Sequence, residues 1–495
     1  MARIVIVGAG VGGLATAARL ATTGHRVTLL EQGDTVGGKL GRYVSDTPAG
    51  PFHFDTGPSL LTLPQVFHDL FEATGAKLDE YLDLVPLDPI VRHVFPQGGP
   101  TLDSCADSDE FAARVGTALG ERAAAQWRRL WRRAERVWTA SERDVLRRRV
   151  DSPRDLAMLA WRLGDLAAIG PGRTLRGLGR AHLSDPRLRM LLDRYATYAG
   201  TDPRRAPAAL VAVPYAELAF GGWYLRGGLG TLADALLTRC LELGVMVRTG
   251  VRVTRIDAAG GRVHGVRLAG TSAPVPADVV VANVDALTLY RDLLPTPRRL
   301  ATLTDRSLAG FVLLLGVRGD SGLAHHNVFF PDAYDSEFDA VFGAPGRGVR
   351  ARPAPDPAVF VTVAADETVR PAGHEAWFVL VNAARQGTAA GAVDWRRPGL
   401  AEAYADRILA VLAARGVDVR DRLLFREIRT PADLGSATGT PGGAIYGTTG
   451  GLLRPPNRGP VRGLWLVGGS CHPGGGLPMV ALSAQIVADS IGPAW

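Results

Sequence analysis

The sequence predicts an α/β protein whose central parallel sheet takes strands from both ends of the chain. Residues 4–7, IVIV, form a β-branched run that leads into glycines and then into a helical pattern. A second strand–turn–helix pattern begins with GLWLVGG at residues 463–469 and continues with PMVALSAQIVADSI. A chain of 495 residues is too long for one core, so two or three domains are expected.

The N-terminal glycines predict a dinucleotide site. Gly8, Gly10 and Gly13 give the spacing G-x-G-x-x-G, with Gly12 inside it. Gly8 permits a tight turn, Gly10 lets a pyrophosphate approach the backbone, and Gly13 lets the helix lie close to the strand. Glu31 ends the second strand, where its carboxylate can accept hydrogen bonds from ribose hydroxyls. The alternative is a nucleotide-like fold that binds nothing.

The residues after Glu31 favour FAD over NAD. A second glycine pair with a cation, Gly37-Gly38-Lys39, can wrap around the phosphates from the other side. The turn-rich stretch FHFDTGPS follows at residues 52–59, where an NAD domain usually continues with another strand and helix. The fold is therefore expected to be a Rossmann-like FAD-binding domain.

The C-terminal stretch GLWLVGGSCHPGGGLPMVAL predicts a second helix N-terminus beside the cofactor. The glycines at 474–476 let the backbone approach a bound ring, and Pro478 suits the first turn of a helix. We expect the end of the chain to close the cofactor site.

Composition narrows the possible partners. The net charge is +7 and the pI is about 9.6, with arginine supplying nearly all of the positive charge. Genomic composition explains such a bias as well as an anionic membrane surface does. Nucleic acid is not expected, since no zinc-ligand spacing or RNA-binding signature accompanies the charge. Three scattered cysteines, no leader and no long apolar run predict an intracellular protein in a reducing compartment.

The middle of the chain is arginine- and tryptophan-rich. Residues 126–138, QWRRLWRRAERVW, place tryptophans on one helical face and arginines on the other. One interpretation is an interfacial helix on an anionic membrane, and the other is a solvated helix with its tryptophans in the core. His325, His326 and His472 are acid–base candidates, although a structural role is expected for each. No ligand spacing predicts a metal site.

The sequence resembles the bacterial phytoene desaturase family of carotenoid desaturases and related oxidases, within the flavin amine oxidase superfamily. The matching motifs are GAGVGGLATAARL, VGGKL, FDTGPSLLTLP, FGGWYLRGGLGTLADAL, ADVVVANVDA, HHNVFFPDAYDSEFDAVF, RPPNRG and LVGGSCHPGGGLPMV. Two positions depart from the family pattern: Leu225 stands where a proline is expected, and Cys471 where threonine is common. Cys471 is expected to be a small buried residue.

The resemblance implies a domain order and a set of cofactor contacts. FAD-binding segments are expected at residues 1–104, 216–290 and 456–495, a helical region that is a candidate for membrane attachment at 105–215, and a sheet-based substrate domain at 291–455. The implied cofactor-binding residues are Gly8, Gly10, Gly12, Gly13, Glu31, Gly38, Lys39, Asp55, Thr56, Gly57, Pro58, Val253, Gly468, Gly475, Gly476, Pro478, Met479 and Val480.

The implied activity is FAD-dependent desaturation of an apolar carotenoid, either phytoene or a later, neurosporene-type intermediate. Hydride would pass from an allylic carbon to the flavin, and quinone or oxygen would take the electrons onward. No residue is identified as the catalytic base. The expected location is the cytoplasmic face of the cell membrane. Oxidation of a carotenoid end group, a flavin amine oxidase acting on a soluble amine, and a polyene carrier without catalysis remain as alternatives.

Overall fold

A five-stranded parallel sheet joins distant parts of the chain. The computed structural model describes residues 1–156, 162–303, 306–447 and 454–494. The strands follow the order Leu464–Leu466, Val279–Ala282, Arg3–Val7, Arg26–Leu30 and Met246–Arg248. Their apolar β-branched sequences suit strands that are covered on both faces.

Both ends of the chain are fixed to this sheet. The N-terminal helix, Val11–Thr22, and the C-terminal helix, Leu477–Ile491, share one apolar core through Leu14 and Ala484. The last residues are also tied down, because the His25 Nε2 atom lies 2.9 Å from the Gly492 carbonyl oxygen. The glycine-rich C-terminal stretch is therefore part of the folded nucleotide domain.

A seven-stranded sheet forms the second layer. Its strands follow the order Leu423–Arg429, Ala309–Arg318, His374–Ala383, Val359–Val363, His326–Phe329, Val91–Val94 and Thr101–Ser104. The helix Leu400–Ala414 covers one face. The other face meets the hairpin Arg42–Thr47/Gly50–Asp55, whose Phe52 and Phe54 pack against Leu314 and Phe378.

Two strands of this sheet differ from the predicted domain order. Residues 91–94 and 101–104 fall in the segment 1–104 that the sequence assigned to FAD binding. They pair instead with the seven-stranded sheet, which we call the substrate sheet after the predicted substrate domain, since Val91–Val94 runs parallel to His326–Phe329 and Phe330 N donates to the Val94 carbonyl oxygen at 3.0 Å. Local sequence does not reveal this pairing, because the partner strand is more than two hundred residues away.

Three further sheets are small. One has three strands, Val253–Ala259, Arg262–Leu268 and Val275–Pro276. Two are strand pairs, Leu84–Pro86 with Trp223–Leu225 and Arg385–Gln386 with Ala392–Val393. Leu225, the departure from the expected proline, pairs with Leu84 and accepts a hydrogen bond from Gly228 N. The turn is thus held by backbone bonds.

The helical region contains one long helix, Glu121–Ser141, which we call the tryptophan helix. Trp127 and Trp138 are buried, and Trp131 is half-buried with its ring 4.7 Å from that of Tyr215. The interpretation that places these tryptophans at lipid headgroups is therefore wrong for Trp127 and Trp138, which are core residues. Their burial follows from neighbouring helices that cover the apolar face.

The remaining helices complete the two layers. The other α-helices are Gln65–Glu72, Ser108–Leu119, Leu163–Ile169, Leu175–His182, Pro186–Arg194, Ala212–Phe220, Thr231–Glu242, Ala286–Thr288, Pro297–Leu300, Tyr334–Phe342 and Pro431–Thr438. Short 3₁₀ helices span Leu78–Glu80, Thr197–Ala199, Ala208–Val211, Pro345–Arg347, Arg420–Arg422 and Pro441–Gly443, and π-helical turns span Glu142–Leu146 and Leu289–Leu293. Within the described ranges, none of the helices has the length and apolarity needed to cross a membrane.

Candidate FAD site

The N-terminal glycine loop has the geometry of a phosphate cradle. Gly8 has φ +99°, a left-handed conformation that side chains rarely adopt. A Cβ atom on Gly13 would overlap the Gly8 carbonyl oxygen, so helix and loop are in backbone contact. The helix begins at Val11 and no acidic residue occupies its first turn. Its free N–H groups can therefore face an anion.

Asn283 organises this loop and was missed by the sequence reasoning. A Cβ atom on Gly10 would lie 2.9 Å from Asn283 Oδ1, and one on Gly12 would lie 2.8 Å from Asn283 Nδ2. The same Nδ2 atom donates to the Val467 carbonyl oxygen at 3.1 Å. Asn283 thus links the N-terminal loop to the C-terminal turn. The available signal was its place directly after the strand VVVA, at the edge where the other strands end.

Glu31 holds the turn that it follows. One carboxylate oxygen accepts from Ala9 N at 2.7 Å and the other from Gly33 N at 2.8 Å. Each oxygen keeps a further lone pair for a ribose hydroxyl. Val251 N donates to the Glu31 carbonyl oxygen at 2.7 Å, which brings the edge of the three-stranded sheet, where Val253 pairs with Leu268, to the same place.

The second glycine pair lies against the first. Gly37 N donates to the Ala9 carbonyl oxygen at 2.9 Å, and a Cβ atom on Gly38 would lie 3.2 Å from Gly10 Cα. Lys39 points elsewhere: its Nζ atom donates to the carbonyl oxygens of Ala444, at 3.0 Å, and Ile445, at 2.5 Å.

The Lys39 ammonium is buried, and this burial lowers its pKa to about 8. Among the described residues, two of its three N–H donors are used, which leaves one that could contact a ligand. The contact between Lys39 and a phosphate of the cofactor stays a prediction.

The FDTGP segment sits beside the glycine loops. Asp55 accepts from Leu229 N at 2.6 Å and Gly230 N at 2.8 Å, while burial raises the pKa of its carboxyl to about 6. Thr56 N donates to the Gly41 carbonyl oxygen, and a Cβ atom on Gly57 would overlap the Lys39 carbonyl oxygen. Pro58 is exposed. The two segments are therefore held backbone to backbone.

The C-terminal turn completes the cradle. Gly468 has φ +111° and a Cβ atom there would lie 2.6 Å from Asn283 Nδ2. A Cβ atom on Gly475 would overlap the ring of Tyr446, a second residue that the sequence reasoning did not single out. Gly476, at φ +102°, directly precedes the C-terminal helix.

The first turn of the C-terminal helix carries the last predicted site residues. Pro478 stands in that turn, and Met479 packs on the main core. Val480 Cγ1 would lie 3.1 Å from a Cβ atom on Gly12. The two helix N-termini thus converge.

Cys471 and His472 are structural. The Cys471 thiol is fully buried and donates to the Gly468 carbonyl oxygen at 3.3 Å, and burial raises its pKa to about 12. The prediction of a small buried residue is confirmed. The His472 Nε2 atom lies 2.8 Å from the Arg148 carbonyl oxygen, so this ring fastens the turn to the end of the helical region.

His325 and His326 lie between the substrate sheet and the FDTGP segment. The His326 ring nitrogens lie 3.1 Å from the Ile90 and 3.2 Å from the Ser59 carbonyl oxygens. Burial lowers the pKa of His326 well below its usual value, so the ring is neutral and donates to only one of them. Burial also lowers the pKa of His325 to about 4. In the described part of the chain, no group of three or more metal-ligating side chains is gathered at one point.

A cavity of about 180 Å³ opens between the hairpin and the substrate sheet. Its walls include Asp55, Ser59, Tyr224, Thr362 and Phe378. Phe360 and Leu380 lie on the same face of the sheet and are only half-buried. An apolar surface therefore continues from the cavity across the sheet.

The cradle fits a dinucleotide better than any other group. Glycine replaces side chains at the points where two loops and two helix N-termini meet, and backbone N–H groups remain free there. The Glu31 carboxylate lies beside the N-terminal glycine loop, and the cavity with its apolar sheet face adjoins Asp55. FAD combines these features in one ligand: two phosphates, a ribose and a large flat ring.

Comparison with known proteins agrees with this geometry. Residues 11–310 match the family model described as flavin containing amine oxidoreductase. The chain is 33% identical to a 4,4'-diapolycopene oxygenase of Methylomonas sp, with 99% of this chain and 98% of that protein covered. It is 35% identical to hydroxyneurosporene desaturases of Rubrivivax gelatinosus, covering 99% and 93%, and of Cereibacter sphaeroides, covering 99% and 97%.

Solved structures share the fold. An oxidoreductase of Methanosarcina mazei has a TM-score of 0.65 at 16% identity, with 98% of this chain and 100% of the other covered. Cyclohexylamine oxidase of Brevibacterium oxydans has a TM-score of 0.60 at 16% identity, with 99% and 98% covered. The chain therefore belongs to the flavin containing amine oxidoreductases, and within them to the FAD-dependent carotenoid desaturases and related oxidases.

Proposed function

We propose that this protein is an FAD-dependent carotenoid desaturase that introduces double bonds into an apolar polyene, either phytoene or a later intermediate. One observation carries the proposal: a two-ended dinucleotide cradle opens toward a half-buried apolar sheet face in a chain with full-length desaturase relatives. A polyene offers no carbonyl or charged group, so its recognition requires apolar surface of this kind.

Bound FAD supplies a hydride acceptor for an allylic C–H bond. The chain's own residues hold the reactants and exclude water. Glycines at the cradle let the ligand approach the backbone, and the N-terminus of the C-terminal helix offers a positive dipole end. Phe360, Phe378 and Leu380 line the face on which a polyene would lie straight. Such a reaction needs the protein to align the polyene with the flavin and to exclude water from the site.

The residue assignments belong to this proposal. Gly8, Gly10, Gly12, Gly13 and Glu31 hold the ADP half, with Gly38, Lys39, Val253 and Gly468 around it; Asp55, Thr56, Gly57, Pro58, Gly475, Gly476, Pro478, Met479 and Val480 surround the flavin. In this view the segments predicted at 1–104, 216–290 and 456–495 form the FAD-binding domain, except for residues 91–94 and 101–104, which belong to the seven-stranded sheet.

Oxidation of a carotenoid end group is the second candidate. It is favoured by the diapolycopene oxygenase relative, which matches the chain over its full length. A polar side chain in contact with one end of the bound polyene would favour this second activity.

A pigment profile tests the activity. The chain is expressed in one bacterial strain that accumulates phytoene and in another that accumulates neurosporene, and the extracted carotenoids are read by visible absorption and mass. Desaturation is expected to shift the bands to longer wavelength with loss of two mass units per double bond. Gain of oxygen would favour the second candidate, and unchanged pigments in both strains with flavin-loaded protein would contradict both.

Two glycine variants test whether the activity depends on the cradle, one inside it and one as a matched control. Gly10→Val should remove the activity, because its side chain meets both the cofactor site and Asn283. Gly164→Ala should keep it, since a Cβ atom there meets no atom of the described residues within 4 Å.

We also propose peripheral attachment to the cytoplasmic face of the cell membrane. The exposed side of the tryptophan helix carries Arg128, Arg129 and Arg132, and Leu163 is 76% exposed in the next described helix. Basic residues beside an exposed apolar side chain favour an anionic bilayer. Flotation with anionic vesicles is expected, weakened by salt and by Leu163→Asp. Equal flotation with neutral vesicles would contradict this mode of binding.

Quinone or oxygen is proposed as the electron acceptor. Rapid mixing of the photoreduced holoenzyme with a soluble quinone or with air-saturated buffer would compare the two. Slow reoxidation by both would refute this part of the proposal.

A further inference from the structure

A buried arginine lies beside the apolar sheet face, where a pure hydrocarbon substrate would have no use for it. Arg194 is 5% exposed, and its Nη2 atom donates to the Tyr198 hydroxyl at 2.5 Å. Its Nη1 atom is buried and has no hydrogen-bond partner among the described residues. Burying a guanidinium with an unpaired N–H donor costs folding free energy, so its presence here indicates a ligand or another function for the donor.

A buried carboxylate with an idle acceptor stands in the same cluster. Glu217 is 2% exposed; its Oε1 atom accepts from the Tyr195 hydroxyl at 2.7 Å, while its Oε2 atom has no partner among the described residues. The Tyr195 and Tyr198 rings lie 5.3 Å apart, and the Arg194 guanidinium lies over both. Arg194 and Glu217 do not form a direct ion pair in the described part of the chain; they are linked through Tyr198, whose hydroxyl accepts from Arg194 and whose pKa is raised by burial and by the nearby Glu217 carboxylate. Arg194 Nη1 and Glu217 Oε2 have no partner among the described residues.

The cluster sits between the substrate sheet and the C-terminal turn. The Arg194 guanidinium carbon lies 5.8 Å from the centre of the Phe360 ring, which is half-buried on the proposed substrate face. On the other side, Gly200 follows Tyr198 closely in sequence, and a Cβ atom there would lie 3.0 Å from the Tyr446 ring. That same ring touches Gly475 of the flavin-facing turn. The free donor and acceptor are therefore beside both the substrate face and the flavin side of the site.

We infer that Arg194 and Glu217 bind a hydroxyl group carried by the polyene, and so determine substrate specificity; this rests on the proposed function. A hydroxyl oxygen accepts a hydrogen bond while its O–H donates one, which matches the idle Arg194 donor and the idle Glu217 acceptor. A carbonyl group could satisfy Arg194 alone. An unsubstituted polyene would leave both atoms unpaired.

The test compares two substrates on the purified holoenzyme. Rates are measured with hydroxyneurosporene and with the hydrocarbon neurosporene, for the wild type and for Arg194→Met and Glu217→Gln. Loss of a hydrogen bond to a charged group predicts a fall of roughly ten- to a hundredfold in kcat/KM for the hydroxylated substrate. The hydrocarbon rate should change little or rise, because the substitution removes a buried charge. Arg194→Lys should restore part of the preference.

Arg415→Met is the matched control. Arg415 is a half-buried arginine of the predicted substrate domain, and its donors are used by the Phe329 and Pro357 carbonyl oxygens and by Asp356. Its loss should affect both substrates alike.

The results separate this inference from the function on which it rests. A parallel fall for both substrates in flavin-loaded Arg194→Met, or a wild type that prefers the hydrocarbon, would overturn the inference alone. If Arg194→Met does not fold, an unchanged substrate ratio in Glu217→Gln has the same meaning. If the wild type converts neither of these substrates nor phytoene, the proposed function fails; if it converts phytoene alone, the inference is overturned and the function stands. Equilibrium binding of the two polyenes, followed by the flavin absorbance, then tests the contact between Arg194 and the substrate hydroxyl. Tighter binding of the hydroxylated polyene that is lost in Arg194→Met supports this contact, and equal binding of the two polyenes overturns it.

Discussion

Replacing Asn283 by alanine should weaken FAD binding more than it weakens the fold. The side chain contacts the positions of Gly10, Gly12 and Gly468, and its Nδ2 atom donates to the Val467 carbonyl oxygen at 3.1 Å. Asn283→Ala leaves that carbonyl without its side-chain donor and leaves space where two loops meet. A lost buried hydrogen bond costs about 1–3 kcal/mol. If this free energy is lost from the FAD-bound arrangement of the two loops, the affinity for FAD drops roughly ten- to a hundredfold.

The assay measures two quantities on each variant. FAD affinity is obtained by titrating the apoprotein and following flavin fluorescence, and stability by urea unfolding of the apoprotein. The control is Asn327→Ala, since Asn327 is fully buried, donates to the Ala324 carbonyl oxygen at 2.7 Å and lies in the substrate sheet. Both variants should lose stability, but only Asn283→Ala should lose affinity. Wild-type affinity in Asn283→Ala, or an equal loss in Asn327→Ala, would refute the organising role of Asn283.

Three other predictions concern the glycine loop, a buried carboxyl group and the thiols. Gly13→Ala should yield unfolded or flavin-free protein, because its Cβ atom would overlap the Gly8 carbonyl oxygen, whereas the control Gly164→Ala should keep wild-type flavin content. The flavin absorbance of the purified proteins checks both expectations. A yellow, stable Gly13→Ala protein would contradict the contact between Gly13 and Gly8. Burial raises the pKa of Asp55 to about 6, so between pH 4 and pH 6 the native state binds more protons than the unfolded state and this group makes stability fall as pH rises. The free energy of unfolding of Asp55→Asn, measured in urea, should therefore rise relative to that of the wild type as the pH goes from 4 to 6. A difference in unfolding free energy that stays constant over this range would count against the raised pKa of Asp55. All three cysteines are free and buried, so an aromatic disulfide reagent should react slowly with native protein and fully after denaturation; a fast native reaction would show an accessible thiol.

Much of the cradle could be predicted because its requirements are local. Glycine spacing, a β-branched strand and an acidic residue lie within the first thirty-one positions, and each has a direct stereochemical reason. The structure brings Gly8, Gly10, Gly12 and Gly13 together with the C-terminal turn as the pattern indicated.

The errors and omissions concern contacts between distant segments. Asn283 and Tyr446 matter because of what lies opposite them, at Gly10 and Gly475, and sequence alone does not state this. The tryptophans were ambiguous for the same reason: an amphipathic helix has the same period whether its apolar face meets lipid or protein. Helix Ala212–Phe220, which supplies Tyr215 and Phe220, decides the matter.

The fastening of the two chain ends constrains how the protein is made. The strand Leu464–Leu466 lies beside Val279–Ala282, and Ala494 N donates to the Thr23 carbonyl oxygen at 3.0 Å. A ribosome makes residue 3 long before residues 464–494, so the sheet of the nascent chain stays incomplete until those residues have been made. Coloured holoprotein should thus form only after residues 464–494 have left the ribosome, and proteolytic loss of the helix Leu477–Ile491 should give apoprotein. Bound flavin would then report that this segment has been synthesised and has joined the sheet.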